Sequence, residues 1–283
     1  MNTIIRLTLL EMLKKKILYL TLLLTAVFLI LYGTALKFAY GSLPHEDALI
    51  RLTVSGQLLS MGIYATGFII SFLSVFSSVG AIASEIEQGT YDAILSKPIA
   101  RYEIILGRLL GILLVMISYV TFLYVSVVGL NMFFGKDMIA NFTYASLIKS
   151  LATLYLLPTL LCSIGIFFSA SMSTMAAGVT LVILYFCGMV GGIMEQIGHF
   201  MINGGAKEVL TNIGIITSLV IPSDIVYRKA SSLLFTTASG MNLSIDNMIG
   251  AAIQPSFIMM AYIGVYIFVM LVLALRKFQT RDL

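Results

Sequence analysis

The sequence predicts an all-α integral membrane protein with six transmembrane helices. Of its 283 residues, 59% are hydrophobic and only 11% are charged, and the mean hydropathy is +1.03. Soluble domains carry about a quarter charged residues and a little under half apolar ones. This composition therefore leaves the lipid bilayer as the environment in which the chain folds.

Six apolar stretches are long enough to cross a bilayer, whose hydrocarbon core of about 30 Å requires about 20 residues of helix. The second stretch exceeds this length, so we expect it to tilt or to project into the cytoplasm. The six predicted spans are residues 17–36, 54–83, 109–134, 147–170, 175–194 and 256–275.

The positions of lysine and arginine indicate the orientation of these spans. If both ends of the chain are cytoplasmic, most basic residues flank the cytoplasmic helix ends, as is typical of multi-pass proteins of the cell (plasma) membrane. The short outer loops and outer helix ends then hold only Lys37, Arg51, Lys136 and Lys149. Because the basic residues follow this pattern, the net charge of +4 does not indicate a nucleic-acid partner.

Residues 1–16 are predicted to form an amphipathic helix, because their apolar residues recur at helical spacing. The apolar face consists of Ile5, Leu9, Met12 and Leu13. We favour a helix that lies in the cytoplasmic interface before the first span. The alternative is that it simply lengthens the first span.

Two longer segments lie outside the spans, a cytoplasmic one at residues 84–107 and an external one at residues 199–254. Neither could bury a catalytic core, so residues 1–283 are expected to form a single transmembrane domain. Within the external segment, residues 214–221 are apolar but too short to span. They predict a re-entrant element that Pro222 ends, before the last span.

Motifs for catalysis and metal binding are absent from the sequence. It contains no GxxxxGK[ST] nucleotide loop, no HExxH or GxSxG motif and no intramembrane aspartate pair. Cys162 and Cys187 lie singly in apolar runs, and His45 and His199 lie singly at helix ends. We therefore expect no catalytic site, metal, cofactor or disulfide in this chain.

The predicted spans hold almost no ionisable residues near the bilayer midplane. Ion-coupled secondary transporters usually place such residues there, so this class of transporter is disfavoured. Glu195 and Lys149 lie near outer helix ends, and we interpret both as side chains that snorkel to the interface.

Residues 84–108 carry the most informative pattern. Gly89 and Pro98 bracket a short segment whose helical start Thr90 would cap. Its apolar face consists of Tyr91, Ile94 and Leu95. An exposed short helix with such a face fits a groove in a cytoplasmic partner or the membrane surface, and composition alone favours neither. Glu85 and Glu87 are expected to position this loop by pairing with Arg101 or with the partner.

This segment resembles the cytoplasmic signature of ABC type 2 permeases, the membrane subunits of ATP-binding-cassette exporters. In that signature, acidic residues precede Gly-Thr, an apolar turn, Pro-Ile with a small residue and Arg, and a Gly followed by a basic residue. The matching residues are Glu85, Glu87, Gly89, Thr90, Ile94, Leu95, Pro98, Ile99, Ala100, Arg101, Gly107 and Arg108. Ala100 stands where family members often carry a capping Ser, although Glu103 keeps the capping-box position.

Two further elements extend the resemblance. Leu10-Glu11 is similar to part of the amphipathic amino-terminal helix of the family. The element that includes Pro222, Asp224, Tyr227 and Arg228 resembles the Pro-x-Asp…Tyr-Arg sequence of permeases from nitrous-oxide-reductase maturation transporters. It also precedes the last span in those permeases.

The resemblance implies that two permease chains pair in the membrane above two ATPase subunits that hold ATP and Mg²⁺. We favour a homodimer, and a pair of related chains is the alternative. The helix at residues 91–96 would be the coupling helix that binds a groove of the ATPase. Closure of the ATPases would then tilt the spans and switch an outer gate. The candidate coupling residues are Glu85, Glu87, Gly89, Thr90, Tyr91, Ile94, Leu95, Pro98 and Arg101. The candidate gate residues are Pro222, Asp224, Tyr227 and Arg228.

Two glycine pairs predict close helix packing, because small residues at i and i+4 let two backbones approach. These pairs are Gly107-x-x-x-Gly111 and Gly188-x-x-x-Gly192. We expect at least one of them to support packing within or between subunits.

The favoured function is the permease subunit of an ABC exporter, surrounded by membrane lipid. One alternative is a maturation transporter for a periplasmic metalloenzyme. Another is a membrane scaffold or sensor that binds a cytoplasmic partner without moving a substrate. The sixteen methionines are scattered without a Met-x-x-Met array, so core filling explains them better than copper transport.

Overall fold

The computed structural model describes residues 2–42, 48–89, 101–135, 144–200, 204–235 and 256–280. The regular structure of these residues is entirely helical. The helices are α1 (Asn2–Lys14), α2 (Lys16–Ser42), α3 (Ala48–Val79), α4 (Ala83–Glu87), α5 (Arg101–Gly135), α6 (Tyr144–Leu154), α7 (Leu156–Ser171), α8 (Thr174–Phe200), α9 (Gly205–Val220), α10 (Ser223–Phe235) and α11 (Phe257–Gln279).

Six of the described helical segments are long and apolar enough to cross a membrane, and they confirm the six predicted spans. They are Lys16–Ser42, Val54–Glu87, Arg101–Gly135, Tyr144–Ser171, Thr174–Gly198 and Phe257–Gln279. The third span begins eight residues before its predicted start at residue 109, because the polar residues from Arg101 onward continue the helix beyond the apolar run. The amino-terminal helix α1 is separate from α2 and packs against α5.

The second and fourth spans form the centre of the bundle. About two thirds of the second span and 61% of the fourth are buried within the chain, against 22% of the first and 11% of the last. Ser71, Ser74 and Ser78 of α3 are buried, and each donates to the carbonyl four residues earlier. These bonds let hydroxyls lie in the core without an unpaired donor.

The second span is broken at Gly80–Ile82, between α3 and α4. The hydroxyl of Ser169 on α7 accepts from the backbone N–H groups of Ile82 (3.1 Å) and Ala83 (2.9 Å). It also donates to the carbonyl of Val79 at 2.6 Å. A break in the apolar part of a membrane protein needs such partners, because no water is present to satisfy the freed groups.

The helices α9 and α10 are bent by 99° at a break between Val220 and Ser223. This bend agrees with the predicted break at Pro222. Tyr262 and Tyr266 of α11 donate to the carbonyls of Leu219 (2.6 Å) and Val220 (2.8 Å), the last two of α9. These bonds satisfy carbonyls that have no partner within a helix that ends there.

The α9–α10 pair is a re-entrant hairpin in this arrangement. The side chain of Arg101, at the start of α5, bonds to carbonyls at the end of α11. The same end of α5 holds α1 through Arg108. Both α1 and the end of α11 therefore lie at one end of the bundle, so the chain crosses the membrane an even number of times. Six crossings meet this requirement and seven do not, so the bent α9–α10 pair is not counted as a further crossing.

We expect Ser169→Ala to destabilise the protein by about 1–3 kcal/mol, since it leaves two buried backbone donors without a partner. Thermal unfolding in detergent would measure the effect. Ser171→Ala is the matched control on the same helix, because its hydroxyl donates only to the carbonyl of Phe167. The two variants melting at the same temperature would contradict a role for Ser169 at the break.

Candidate functional site

The buried guanidinium of Arg108 on α5 joins three elements at the end of the bundle that holds α1. It pairs with Glu11 of α1 and with Glu85 of α4. Lys15 pairs with the other carboxylate oxygen of Glu11 at 3.2 Å. Two carboxylates and two cations thus form a neutral group, which we call the inner cluster. The two carboxylates offset part of the cost of burying the Arg108 guanidinium, a cost that would be far larger for a lone charge.

A glycine places α1 close enough to α5 for this pairing. A Cβ atom on Gly111 would lie 2.6 Å from Cβ of Thr8 and 3.2 Å from the carbonyl oxygen of Ile5. Only a residue without a side chain permits such an approach. Arg108 precedes Gly111 by almost one turn and Glu11 follows Thr8 by almost one turn, so the two charges meet beside this contact.

The described flanks of the predicted coupling loop are fastened to two other spans. Glu87 accepts from the backbone N–H (2.8 Å) and hydroxyl (2.9 Å) of Thr174, at the start of α8. This position is a favourable one for a carboxylate, because the first N–H groups of a helix are unpaired. Arg101 donates to the carbonyls of Phe278 (3.2 Å) and Gln279 (3.1 Å).

These contacts give the loop carboxylates partners that the sequence does not indicate, and their expected pairing with Arg101 or with the partner subunit stays a prediction. Glu85 pairs with Arg108, and Glu87 with Thr174. The sequence could not show this, because the partners lie on spans distant in the chain. Gly89 follows α4 with a φ of +68°, a left-handed conformation that glycine adopts readily. The remaining coupling candidates Thr90, Tyr91, Ile94, Leu95 and Pro98 lie outside the described residues, so the coupling helix stays a prediction.

A second buried arginine lies at the opposite end of the bundle. Arg228 of α10 pairs with Glu195 of α8 and with Asp224 of α10, both at 2.8 Å. We call these three residues the outer cluster. The interpretation of Glu195 as a snorkelling side chain is wrong, since it is only 4% exposed and lies under the hairpin. Lys149 is exposed.

Glycines bring α8 and the hairpin into backbone contact. A Cβ atom on Gly214 of α9 would lie 2.5 Å from Cβ of Glu195 and 2.8 Å from the carbonyl oxygen of Gly191. Gly188 lies against the carbonyl of Ile221, and Gly192 against the carboxylate of Asp224. Both glycines of the predicted second pair therefore face the re-entrant hairpin.

The remaining gate candidates also lie at this end. Pro222 is buried at the bend. The hydroxyl of Tyr227 donates to the carbonyl of Ser60 on α3 at 3.4 Å, and its ring packs edge-on against Tyr64 with centroids 5.0 Å apart. Of the first glycine pair, Gly107 is buried on α5.

Nearly the whole sequence matches the family model for ABC-2 family transporter proteins, over residues 3–283. The chain belongs to the ABC-2 transporter family. No curated protein is similar enough to count as a match. Membership confirms the resemblance drawn from residues 84–108 and makes the chain the multi-pass permease component of an ABC transporter. It also implies an ABC ATPase as partner.

In this ABC-2 permease the two clusters differ in charge. The inner cluster is neutral, whereas the outer cluster holds two carboxylates and one guanidinium. Sequence analysis singled out Glu85, Asp224 and Arg228 but missed the roles of Glu11 and Glu195. The spacing of Thr8 and Glu11 opposite Arg108 and Gly111 is the signal that could have found the inner cluster.

The inner cluster predicts a pH dependence of stability. Burial alone would raise the pKa of Glu11, but the positive charges of Arg108 and Lys15 outweigh it and lower the pKa from its ordinary 4.5. Because the folded-state pKa is the lower one, this stabilisation is fully present above pH 4.5. It is lost as the pH falls through the folded-state pKa.

We therefore expect the melting temperature in detergent to fall more steeply below pH 4.5 in the wild type than in Glu11→Gln. Glu208→Gln, which changes an exposed carboxylate of α9, should keep the wild-type slope. A Glu11→Gln profile parallel to the wild type would rule out this role for the pair.

The glycine contact predicts that Gly214→Ala destabilises the protein by about 1–3 kcal/mol, because backbone atoms would have to move to admit one methyl group. Gly264→Ala on α11 is the control, since nothing lies within 4 Å of its added Cβ. Thermal unfolding of both variants in detergent is the measurement. If Gly214→Ala melts at the wild-type temperature, α8 and α9 do not pack as closely as the structure indicates.

Proposed function

We propose that this permease is the membrane subunit of an ABC exporter in the cell membrane, with both ends of the chain in the cytoplasm. Two copies would pair and act with two separate ATPase subunits, which bind ATP and Mg²⁺. The observation that carries the proposal is the attachment of both described flanks of the 90–100 segment to other spans.

The flanks would distribute any movement of the loop over several helices. Glu85 links the loop through Arg108 to α1 and α5. Glu87 links it to the start of α8, and Arg101 links it to the end of α11. Hydrogen bonds to charged groups are shorter and stronger than neutral ones. An ATPase that displaced the loop would therefore move four helices together.

The hairpin is the proposed outer gate. It is held to α8 by the ion pair of Arg228 with Glu195 and to α3 by the hydroxyl of Tyr227. Since α8 also receives the bond from Glu87 at its opposite end, tilting of α8 would pull on the hairpin directly. Pro222 and Asp224 lie at the point where the hairpin bends and contacts α8.

The direction of transport rests on the family resemblance, which is to exporters. The positive-inside distribution of lysine and arginine supports a cytoplasmic loop. A chain without a nucleotide-binding motif needs an ATPase on that side, so orientation and partner are consistent with each other.

The test is purification of the tagged chain from its native membrane in mild detergent, followed by identification of co-purifying proteins. We expect a stoichiometric ATPase subunit. Ile94→Asp or Leu95→Asp should reduce the recovered ATPase by about tenfold or more, because a carboxylate would be buried in the groove without a partner. Thr280→Asp, an exposed position at the same end of the bundle, is the control.

Each variant must first be shown to insert at wild-type level. Full retention of the ATPase in both loop variants would refute the coupling helix. A wild-type chain that purifies alone, under conditions that preserve other ABC complexes, would refute the proposed function itself.

A further inference from the structure

A cleft lined by aromatic rings opens between α3, α8 and the re-entrant hairpin. Its lining includes Tyr64 and Phe68 of α3, Tyr185 of α8, and Asp224 and Tyr227 of α10. The rings lie in two pairs. Tyr64 contacts Tyr227 with centroids 5.0 Å apart, and Phe68 lies 6.5 Å from Tyr185. We call this space the polar cleft.

The polar cleft is suited to a positive charge. Asp224 is the one charged side chain among the described residues that line it. Behind it, the outer cluster has one more carboxylate than guanidinium, because Arg228 is shared between Asp224 and Glu195. The faces of aromatic rings attract cations as well, and quaternary ammonium groups are commonly recognised by such rings.

One feature of the polar cleft disfavours the binding of a cation. Ser223, at the positive end of α10, also lines the polar cleft. A helix end is equivalent to about half an elementary charge, whereas the charges of the three described residues of the outer cluster sum to one negative charge. Asp224 lies in the first turn of α10 and offsets this end directly, so the cleft favours a cation.

A second cleft continues from the first and is apolar. It shares Phe68 and Tyr185 with the polar cleft and extends between α3 and α8. Its other lining residues are Phe72, Val75, Phe76, Val182 and Phe186. Several of these rings are about 40% exposed, so the apolar cleft is open along the side of the bundle. A hydrocarbon tail could enter it from the bilayer.

We propose that the two clefts together bind a single-chain cationic amphiphile, with its ammonium head beside Asp224 and its tail along Phe72. This class of compound is then the substrate of the permease, a step that rests on the proposed function. A phospholipid fits less well, because its phosphate would lie close to the carboxylate of Asp224. The proposal therefore specifies the charge of the substrate's head group.

The test measures binding of radiolabelled dodecyltrimethylammonium to the full chain in lipid nanodiscs, with empty nanodiscs as background. We expect saturable binding that unlabelled cation displaces. Dodecyl sulfate and dodecyl maltoside, which carry the same tail with an anionic or a neutral head, should displace it at least about tenfold less well.

Variants separate the head site from general partitioning into the disc. Tyr64→Leu removes a ring at a half-exposed position and should weaken binding about fivefold. Asp224→Asn should weaken it about tenfold, and its melting temperature shows whether the fold survives loss of the pair with Arg228. Tyr144→Leu, on a residue that is 84% exposed, is the matched control and should bind as the wild type does.

Three results would overturn the proposal. One is the absence of saturable cation binding, and another is equal displacement by the anionic or neutral compound. The third is a wild-type oligomer that binds no cation and that Phe72→Arg dissociates, which would identify a second copy of the chain as the occupant of the apolar cleft. None of these measurements requires the ATPase, so the binding site and the proposed function can fail separately.

Discussion

The bilayer admits a charge or an unpaired backbone group only where the protein itself supplies a partner, and two arginines show how this chain meets that constraint. Arg108 and Arg228 are both buried, and each contacts two carboxylates from different helices or turns. Removal of either guanidinium would leave two carboxylates unpaired in a poorly hydrated place. The free-energy cost of that loss is far larger than the net stabilisation that the ion pairs provide. The arginines therefore specify which helices meet at each end of the bundle. The packing of the apolar surfaces alone would leave that choice open, because lipid tails are as apolar as the side chains they replace.

The same constraint applies where a helix breaks. Ser169 satisfies the break in the second span, and the hydroxyls of Tyr262 and Tyr266 satisfy the end of α9. In both places the partner comes from another span, so each break is held in one geometry by a neighbouring helix. Breaks of this kind are the natural positions for movement, because few backbone bonds must change when the flanking helices tilt. Their positions, beside the inner cluster and beside the outer cluster, coincide with the proposed coupling loop and the proposed gate.

How much of the structure the sequence predicts depends on whether each feature is set by neighbouring residues or by residues distant in the chain. Hydropathy and helix length are local, so the six spans and the break at Pro222 could be predicted. The helical period also indicates which face of a helix is apolar. It does not indicate which distant residue lies opposite, so the sequence alone does not pair Glu11 with Arg108 or Glu195 with Arg228. The expectation of a snorkelling Glu195 is wrong for the same reason, since only the folded hairpin covers this side chain. The apolar face of residues 91–95 was predicted from local spacing, and it lies outside the described residues.

The helix α8 is the element that both ends of the molecule share. Its first residue, Thr174, is bonded to Glu87 beside the coupling loop, and its last turns carry Gly188, Gly192 and Glu195 against the hairpin. Only 28% of this span is buried within the chain, against 67% of the second span, so α8 has fewer neighbours to hold it in place. A helix that is bonded to neighbouring elements at both ends can carry movement from one end to the other, and the aromatic cleft lies along the side where α8 meets α3. Tilting of α8 would therefore alter the cleft and the hairpin together, as the proposed function requires of the element between the coupling loop and the gate.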